Sequence, residues 1–295
     1  MELEDIVIGG YRRMSIMQTG QNSEVWQVCD AGAGRQMAAM KLLLPEREHD
    51  RAQQKALRHE SKVGLQLEHP KIIRTFKFGR DKHIVFILME YFPSLNLKLR
   101  LMRKQYESFV RPKLRTILIQ AAQALDYMHS LKWVHRDVKP DNILVDSLAN
   151  VKLIDFALAV KAASGFLKRF GRRSVTAGTR SYMSPEQIRG LPVDARADVY
   201  SFGVLSYEIV AGRLPFVGQS ASDLLRKHIF EAPPPIETAR RVTPEFEKLL
   251  HRMMAKKEKD RLPTMMDFQN ELRRIRIFTD EGAEAESSPK GAVRS

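Results

Sequence analysis

Cysteine is all but missing from this sequence. Cys29 is the only one in 295 residues, which excludes an internal disulfide and suits a reducing compartment. Long apolar runs are missing too. The longest, Ile84 to Met89, falls far short of the ~20 residues that a membrane-spanning helix needs. The opening residues, Met1-Glu2-Leu3-Glu4-Asp5, are acidic and lead into no apolar segment, which predicts no secretory signal. Acidic charge is in short supply. Asp and Glu number 35 against 49 Lys and Arg, a formal net charge of +14. That balance either favours anionic partners, such as nucleotide phosphates, acidic peptides or nucleic acid, or serves solubility alone. These absences predict a soluble, cytoplasmic chain, and 43% apolar content can bury one large core or two lobes.

Against that background one polar stretch stands out. Val134-His135-Arg136-Asp137-Val138-Lys139-Pro140-Asp141-Asn142 lies between two apolar, strand-like runs, Lys132-Trp133-Val134 and Ile143-Leu144-Val145, and Ile154-Asp155-Phe156 follows closely. A polar loop pinned between buried strands is where a scaffold presents chemistry. Asp137, Lys139, Asn142 and Asp155 could together hold a divalent metal, a phosphate and a proton-accepting carboxylate.

The chain before this loop reads as a short-stranded sheet with one helix. Tyr11 to Gly20 and Ser23 to Cys29 flank a tight polar connection, Gly20-Gln21-Asn22. Asp30 to Gly34 is a turn, and Gln36 to Leu44 a third strand. Asp50 can cap a helix running to about Leu67 and ended by His69-Pro70, with Ala52, Ala56, Leu57, Val63 and Leu67 at helical spacing. Lys41, in an apolar strand, and Glu60, on the apolar face of that helix, each need an opposite charge, and each is the other's obvious candidate. Ile72 to Phe78 and His83 to Tyr91 complete the strands, with a turn at Gly79-Arg80-Asp81.

After the loop the chain is helical. Arg111 to Ser130 is a long amphipathic helix that delivers the chain to the polar loop. Asp194 to Val210 is apolar nearly all round and therefore a core helix. Leu224 to Phe230, Pro244 to Met254 and Thr264 to Ile277 follow. From Thr279 the residues turn polar and small, which predicts a disordered tail.

The motifs resemble those of protein kinases, in particular the bacterial serine/threonine kinases of eukaryotic-like type. Ala38-Ala39-Met40-Lys41 is similar to the family's Val-Ala-Ile-Lys strand, and Glu60 falls where its helix-borne glutamate stands. His135-Arg136-Asp137 with Asn142 is similar to the catalytic loop, and Asp155-Phe156-Ala157 to Asp-Phe-Gly. Ser184-Pro185-Glu186 stands for Ala-Pro-Glu. The resemblance covers about Tyr11 to Ile277. It implies an α+β bilobal fold, with a five-stranded antiparallel sheet plus one helix at about 11–91, a mainly helical lobe at about 93–277, and a tail over 278–295.

By that resemblance Asp137 orients the substrate hydroxyl and accepts its proton. Lys139 stabilises the transferring phosphoryl group, and Asn142 and Asp155 bind Mg²⁺. Lys41, paired with Glu60, Gly20 and the backbones of Glu90 and Phe92 hold ATP, while Val25, Ala39 and Leu144 sandwich its ring. Arg136 meets a phosphate on the activation segment, with Thr176 and then Ser174 as the implied sites. Thr179 bonds near Asp137, Glu186 pairs with Arg261, and Asp198 braces the catalytic loop. Lys139 and Thr179 point to serine/threonine substrates, and the basic balance to acidic ones.

Three departures keep a second reading open, a pseudokinase or nucleotide-binding scaffold. In Gln18-Thr19-Gly20-Gln21-Asn22-Ser23-Glu24-Val25 only Gly20 survives of three phosphate-loop glycines, which predicts weakened phosphate contact. Ala157 replaces a glycine and is expected to restrict flips of Phe156, leaving turnover similar in Ala157→Gly. Gly64 replaces an apolar residue and is expected to leave a gap. A polyanion-binding reading draws on Lys98, Arg100, Arg103 and Lys104, read as solvated or substrate-facing charge. Nothing resembles a nucleic-acid module, so nucleic acid is not an expected partner.

Overall fold

The computed structural model describes residues 6–32, 36–162, 180–237 and 241–281. The chain divides into two compact units, residues 1–161 and 162–295.

The first unit is built on a six-stranded antiparallel sheet in the order β1-β2-β3-β4-β6-β5. Its strands are β1 (Val7–Ile8), β2 (Tyr11–Thr19), β3 (Ser23–Asp30), β4 (Met37–Leu43), β5 (Thr75–Asp81) and β6 (Ile84–Glu90). The five expected strands are present, and β1 is a sixth, joined to β2 across Gly9-Gly10. Alternation along each strand decides the two faces. Trp26, Val28, Ala38, Met40, Leu42, Phe86 and Leu88 form one core with Ile8 from β1. Their neighbours Leu43, Val85 and Ile87 form another with Leu57 of helix α1 (Arg51–Gly64). Both faces of β6 are therefore covered, which is why Ile84 to Met89 is apolar without a break.

Helix α1 begins where Asp50 predicts. The Asp50 carboxylate accepts from Ala52 N at 2.8 Å and Gln53 N at 3.2 Å, satisfying donors that a helix start leaves unpaired. It ends at Gly64, earlier than the expected Leu67. The expected turn at Gly79-Arg80-Asp81 is corrected as well. Those residues continue β5, and the chain reverses at Lys82-His83. Gly79 serves close packing instead: a Cβ there would lie 2.1 Å from the Phe86 ring.

The rest of this unit carries β7 (Leu95–Asn96), α2 (Leu97–Met102), α3 (Arg111–Ser130), β8 (Trp133–Val134), β9 (Ile143–Val145), β10 (Val151–Leu153) and β11 (Val160–Lys161). Strands β10, β9 and β7 form one small sheet and β11 with β8 another. Helix α3 has the bounds its periodicity predicts, with Leu114, Ile117, Ala121, Leu125 and Met128 buried.

The second unit is helical: α4 (Pro185–Arg189), α5 (Ala195–Ala211), α6 (Ala221–Phe230), α7 (Pro244–Met253) and α8 (Met265–Leu272). Helix α5 is buried from Ala197 to Val210, as an all-round apolar helix must be. The segment after α8 is not helical to Ile277 as expected. Phe278 is 2% exposed and bridges to Val242, so packing continues past the expected start of the tail. Residues 282–295 lie outside the described residues.

His228 makes this unit sensitive to acid. It is fully buried, with Nδ1 3.0 Å from the Tyr200 hydroxyl, its ring 4.9 Å from that of Phe216, and Lys256 Nζ 2.9 Å from its carbonyl oxygen. Burial and the Lys256 ammonium push its imidazole from 6.5 down to about 3. Below pH 6.5 the unfolded chain therefore takes up a proton that the folded chain refuses, so stability falls as pH falls through that window. Going from pH 7 to pH 5 is expected to cost about 1–2 kcal/mol through this residue. Melting temperatures across that range test it, since His228→Asn should flatten the decline. An equally steep decline in the variant would assign the acid sensitivity elsewhere.

Candidate active site

The polar loop and its partners come together within the first unit. Lys41 is set by β4, where it stands opposite Val25 of β3 and Ile87 of β6. Its Nζ reaches both carboxylate oxygens of Glu60 on α1, at 2.7 and 2.8 Å, and lies 4.0 Å from Asp155 Oδ1. Helix α1 thus brings a buried carboxylate to a buried ammonium, and each would be costly alone. Burial opposes the charge on Lys41, but Asp155 and Glu60 outweigh it and hold the ammonium above its ordinary range. Burial, aided by Asp155, pushes Glu60 up to about 7, with Lys41 pulling the other way.

The loop between β8 and β9 is tied by its own side chains. Asp137 Oδ2 accepts from Lys139 Nζ at 2.8 Å and from Asn142 Nδ2 at 2.9 Å, and Asn142 Nδ2 also donates to the Asp137 carbonyl at 2.8 Å. His135, fully buried, takes the Asp137 N–H on Nδ1 at 3.3 Å. Its Nε2 must then carry the proton, and it lies 3.1 Å from the Ile154 carbonyl. Two distant segments are thereby locked together. The pairing of Ile143 with Leu153, extended by Ile154 N to the Asn142 carbonyl at 3.1 Å, sets Asn142 level with Ile154 and just short of Asp155.

Asp155 adopts φ 65°, as Arg136 adopts φ 67°. A non-glycine residue there is uncommon and costs some backbone strain. Asp155 keeps 36% of its side chain exposed. The surrounding protein works against its charge, yet Lys41 and the Ala157 N–H, 3.2 Å from Oδ1, hold the carboxyl below its ordinary range. It is an anion at neutral pH.

Oxygen donors of this kind suit a hard divalent cation. Asp155 supplies a carboxylate, and Asn142, with its amide nitrogen turned to Asp137, presents an amide oxygen. No cluster of three His, Cys, Asp or Glu side chains stands among the described residues. A cation here would share its shell with substrate phosphates and water, as Mg²⁺ sites commonly do.

Val25 and Ala39 share the sheet face of Lys41, Val25 as its cross-strand partner and Ala39 by alternation. Leu144, half-buried, is on β9. Glu90 ends β6, its N–H bonded to the Arg74 carbonyl at 2.9 Å, and the Phe92 carbonyl accepts from Ser94 at 3.1 Å. A partner that sequence reasoning missed is Lys152, whose Nζ meets Glu90 Oε2 at 2.8 Å. The polar Lys152 between Val151 and Leu153 was its only sequence signal. Gly20 opens the tight connection to β3, with its N–H on the Ser23 carbonyl at 2.8 Å.

Two departures look different in the structure. Ala157 is not among the residues with positive φ, so its methyl costs nothing in this conformation. Gly64 leaves no gap, which corrects the expectation. A Cβ there would lie 2.2 Å from Thr75 Oγ1 and 3.1 Å from Thr75 Cβ, with the buried Phe156 ring beyond at 3.5 Å. Thr75 fills the space. Gly64→Leu is therefore expected to destabilise the protein by about 1–3 kcal/mol through overpacking, despite leucine's better helix propensity. Denaturant titration checks it, and Thr75→Ala in the same chain should recover part of the loss.

Arg100 also changes character. Its guanidinium is buried, donates to the Val145 carbonyl at 2.7 and 3.1 Å, and lies over the Phe109 ring. It is structural rather than solvated or substrate-facing. Elsewhere, Glu186 and Arg261 meet within the second unit through paired bonds of 2.7 and 2.8 Å, and Asp198 is fully buried in α5. Ser174, Thr176 and Thr179 lie outside the described residues.

Comparison with known proteins shows what the chain is similar to. The family described as "Protein kinase domain" matches residues 11–272. Over 279 residues the chain is 32% identical to the probable serine/threonine-protein kinase PknB of Corynebacterium glutamicum, covering 92% of this chain and 43% of that one. It is 33% identical over 245 residues to the serine/threonine-protein kinase pkn3 of Myxococcus xanthus, covering 80% and 44%. With the serine/threonine-protein kinase PrkC of Bacillus subtilis it shares 28% over 275 residues, covering 90% and 40%. The chain thus spans about two fifths of the length of these relatives.

Proposed function

This chain belongs to the protein kinase family, and on that premise we propose that it transfers the γ-phosphoryl group of ATP to serine and threonine hydroxyls of protein substrates. The observation that carries the reading is the Asp137 network. One carboxylate oxygen is fixed by Lys139 and Asn142, while Oδ1 has no hydrogen-bond partner among the described residues. That oxygen accepts the hydroxyl proton as the oxygen attacks phosphorus. Lys139, 2.8 Å from Oδ2, places a positive charge where the loose, phosphoryl-transfer transition state is anionic. Lys41, oriented by Glu60, holds the nucleotide phosphates, and the sheet face carrying Val25 and Ala39 receives the base.

Asp155 and the Asn142 amide oxygen would hold Mg²⁺. When bound, the ion supplies charge neutralisation between the phosphates. Phosphorylation of Thr176 or Ser174 is the proposed activating event. Acidic sequences around the acceptor are the proposed substrate preference. A reducing, ATP-rich compartment such as the cytoplasm fits both the nucleotide and the lone Cys29; no helix among the described residues is long and apolar enough to cross a membrane.

The test is transfer from γ-labelled ATP, followed by phosphoamino-acid analysis. Label on serine and threonine that disappears with a chelator is the expected result. ATP bound with no label on any protein hydroxyl would overturn the reading.

A further inference from the structure

Lys152 is a cation in a strand that is otherwise core. Its neighbours Val151 and Leu153 are fully buried, and alternation turns Lys152 to the opposite face of β10. There its cross-strand partner is Leu144, which pairs in turn with Asn96 of β7. The Lys152 ammonium meets Glu90 Oε2 at 2.8 Å, lies 3.5 Å from the Ile72 carbonyl oxygen and stands 5.9 Å from the centre of the Phe92 ring. One cation thus reaches both residues whose backbones are assigned to the nucleotide base. Glu90 is held a second time, by Arg74: Oε2 accepts from the Arg74 N–H at 3.2 Å, and the Glu90 N–H donates to the Arg74 carbonyl at 2.9 Å.

This is not a screened surface pair. The side chains of Lys152 and Glu90 are 14% and 28% exposed, against 65% and 84% for Arg74 and Glu68. A pair so shielded from water interacts more strongly than an exposed one. Its far end is firmly anchored. Besides its pairing with β9, β10 is bonded to the 71–73 segment, through the Ile73 N–H to the Leu153 carbonyl at 3.0 Å and the Leu153 N–H to the Lys71 carbonyl at 2.8 Å. Three residues beyond Lys152 the chain reaches Asp155. The pair therefore ties the segment assigned to the base to the strand that leads to the carboxylate assigned to the metal.

Adenine presents an amino donor beside a ring-nitrogen acceptor. Guanine presents a carbonyl acceptor beside an N–H donor at the same two positions. A backbone held in place can match only one of these patterns, and the wrong base leaves polar groups unpaired. We propose that Lys152 is a positioning residue for the base, fixing the backbone of the 90–92 segment through Glu90 and Phe92 and so setting a preference for adenine over guanine. The assignment rests on the ATP site proposed above, and direct nucleotide binding tests it apart from phosphoryl transfer.

The experiment measures dissociation constants of methylanthraniloyl-ATP and methylanthraniloyl-GTP by fluorescence. Lys152→Met should weaken the ATP analogue about tenfold and the GTP analogue less than about threefold. Lys152→Arg keeps a cation beside Glu90 and should return ATP binding to within about threefold of wild type. Glu90→Gln should also weaken ATP, and adding it to Lys152→Met should cost little more, since both act through one contact. In turnover the loss in Lys152→Met should fall on KM for ATP, with kcat within about twofold of wild type. Equal losses with the two analogues would overturn the proposal in favour of a merely structural role, as would additive effects of the two substitutions. A fall in kcat with KM unchanged would overturn it in favour of a part in the transfer step. ATP bound by a wild type that labels no protein hydroxyl would refute the kinase reading instead, while wild-type binding of neither analogue would refute both.

Discussion

Asp137→Asn is expected to lower phosphoryl transfer by about 10²–10⁴-fold, the usual range for removing a positioned general base, with ATP affinity and folding nearly unchanged. In the wild type, Oδ2 of Asp137 is saturated by Lys139 and Asn142, and the other oxygen is the proposed acceptor of the substrate proton. An asparagine in the same rotamer keeps an oxygen toward Lys139 and Asn142 and puts an NH₂ where the accepting oxygen stood. A donor then faces the hydroxyl. The loop should keep its shape, because its remaining ties, His135 Nδ1 to the Asp137 N–H and Asn142 to the Asp137 carbonyl, do not involve that atom.

Asp155→Asn should fail differently. It removes the anion 4.0 Å from Lys41 and weakens a proposed cation ligand, so its loss should depend on metal and ATP concentration. Initial rates across ATP and Mg²⁺ concentrations separate the two. A turnover defect in Asp137→Asn that excess Mg²⁺ repairs would contradict the assignment of roles.

The site was more legible in the sequence than its framework, and for a physical reason. Lys41 and Glu60 are ionisable side chains at positions whose periodicity demands burial, so the pairing follows from the cost of leaving either alone. The loop from His135 to Asn142 concentrates polar groups between two apolar strands, and only a tightly bonded turn can satisfy them. Features decided by contact between remote segments were hidden. Gly64 looked like a missing side chain, but whether a glycine marks a gap or a filled space depends on Thr75, which is remote in the chain but in contact with it. Gly79 looked like a turn for the same reason, until the Phe86 ring is seen against it. The Glu90–Lys152 pair joins residues 62 apart, which no local pattern encodes. Strand β1 is the exception. Val7-Ile8-Gly9-Gly10-Tyr11 carries a two-residue hairpin signal that short-range rules can read, and only its brevity made it easy to pass over.

Arg261→Ala is expected to be the most damaging substitution for the fold of the second unit, at about 3–5 kcal/mol. The guanidinium is fully buried and Glu186 is 3% exposed at its side chain. Two parallel bonds of 2.7 and 2.8 Å join them, and Arg261 also donates to the carbonyls of Ala255, Arg196 and Lys256. Truncating the arginine leaves a buried carboxylate with no cation and three carbonyls with one donor fewer, so the loss exceeds that of an ordinary surface ion pair several-fold. Against a total of about 5–15 kcal/mol for a typical domain, such a change can leave the unit largely unfolded at physiological temperature. Glu186→Gln should cost less, because an amide still accepts one bond and leaves no buried anion behind. Replacing both partners together, as Glu186→Leu with Arg261→Met, should be milder than Arg261→Ala, since it removes both charges from the interior at once. Urea titrations of the three variants give the order directly. If Arg261→Ala proved no worse than the double replacement, the unpaired carboxylate would not be the source of the cost, and the backbone carbonyls that Arg261 ties together would have to carry it.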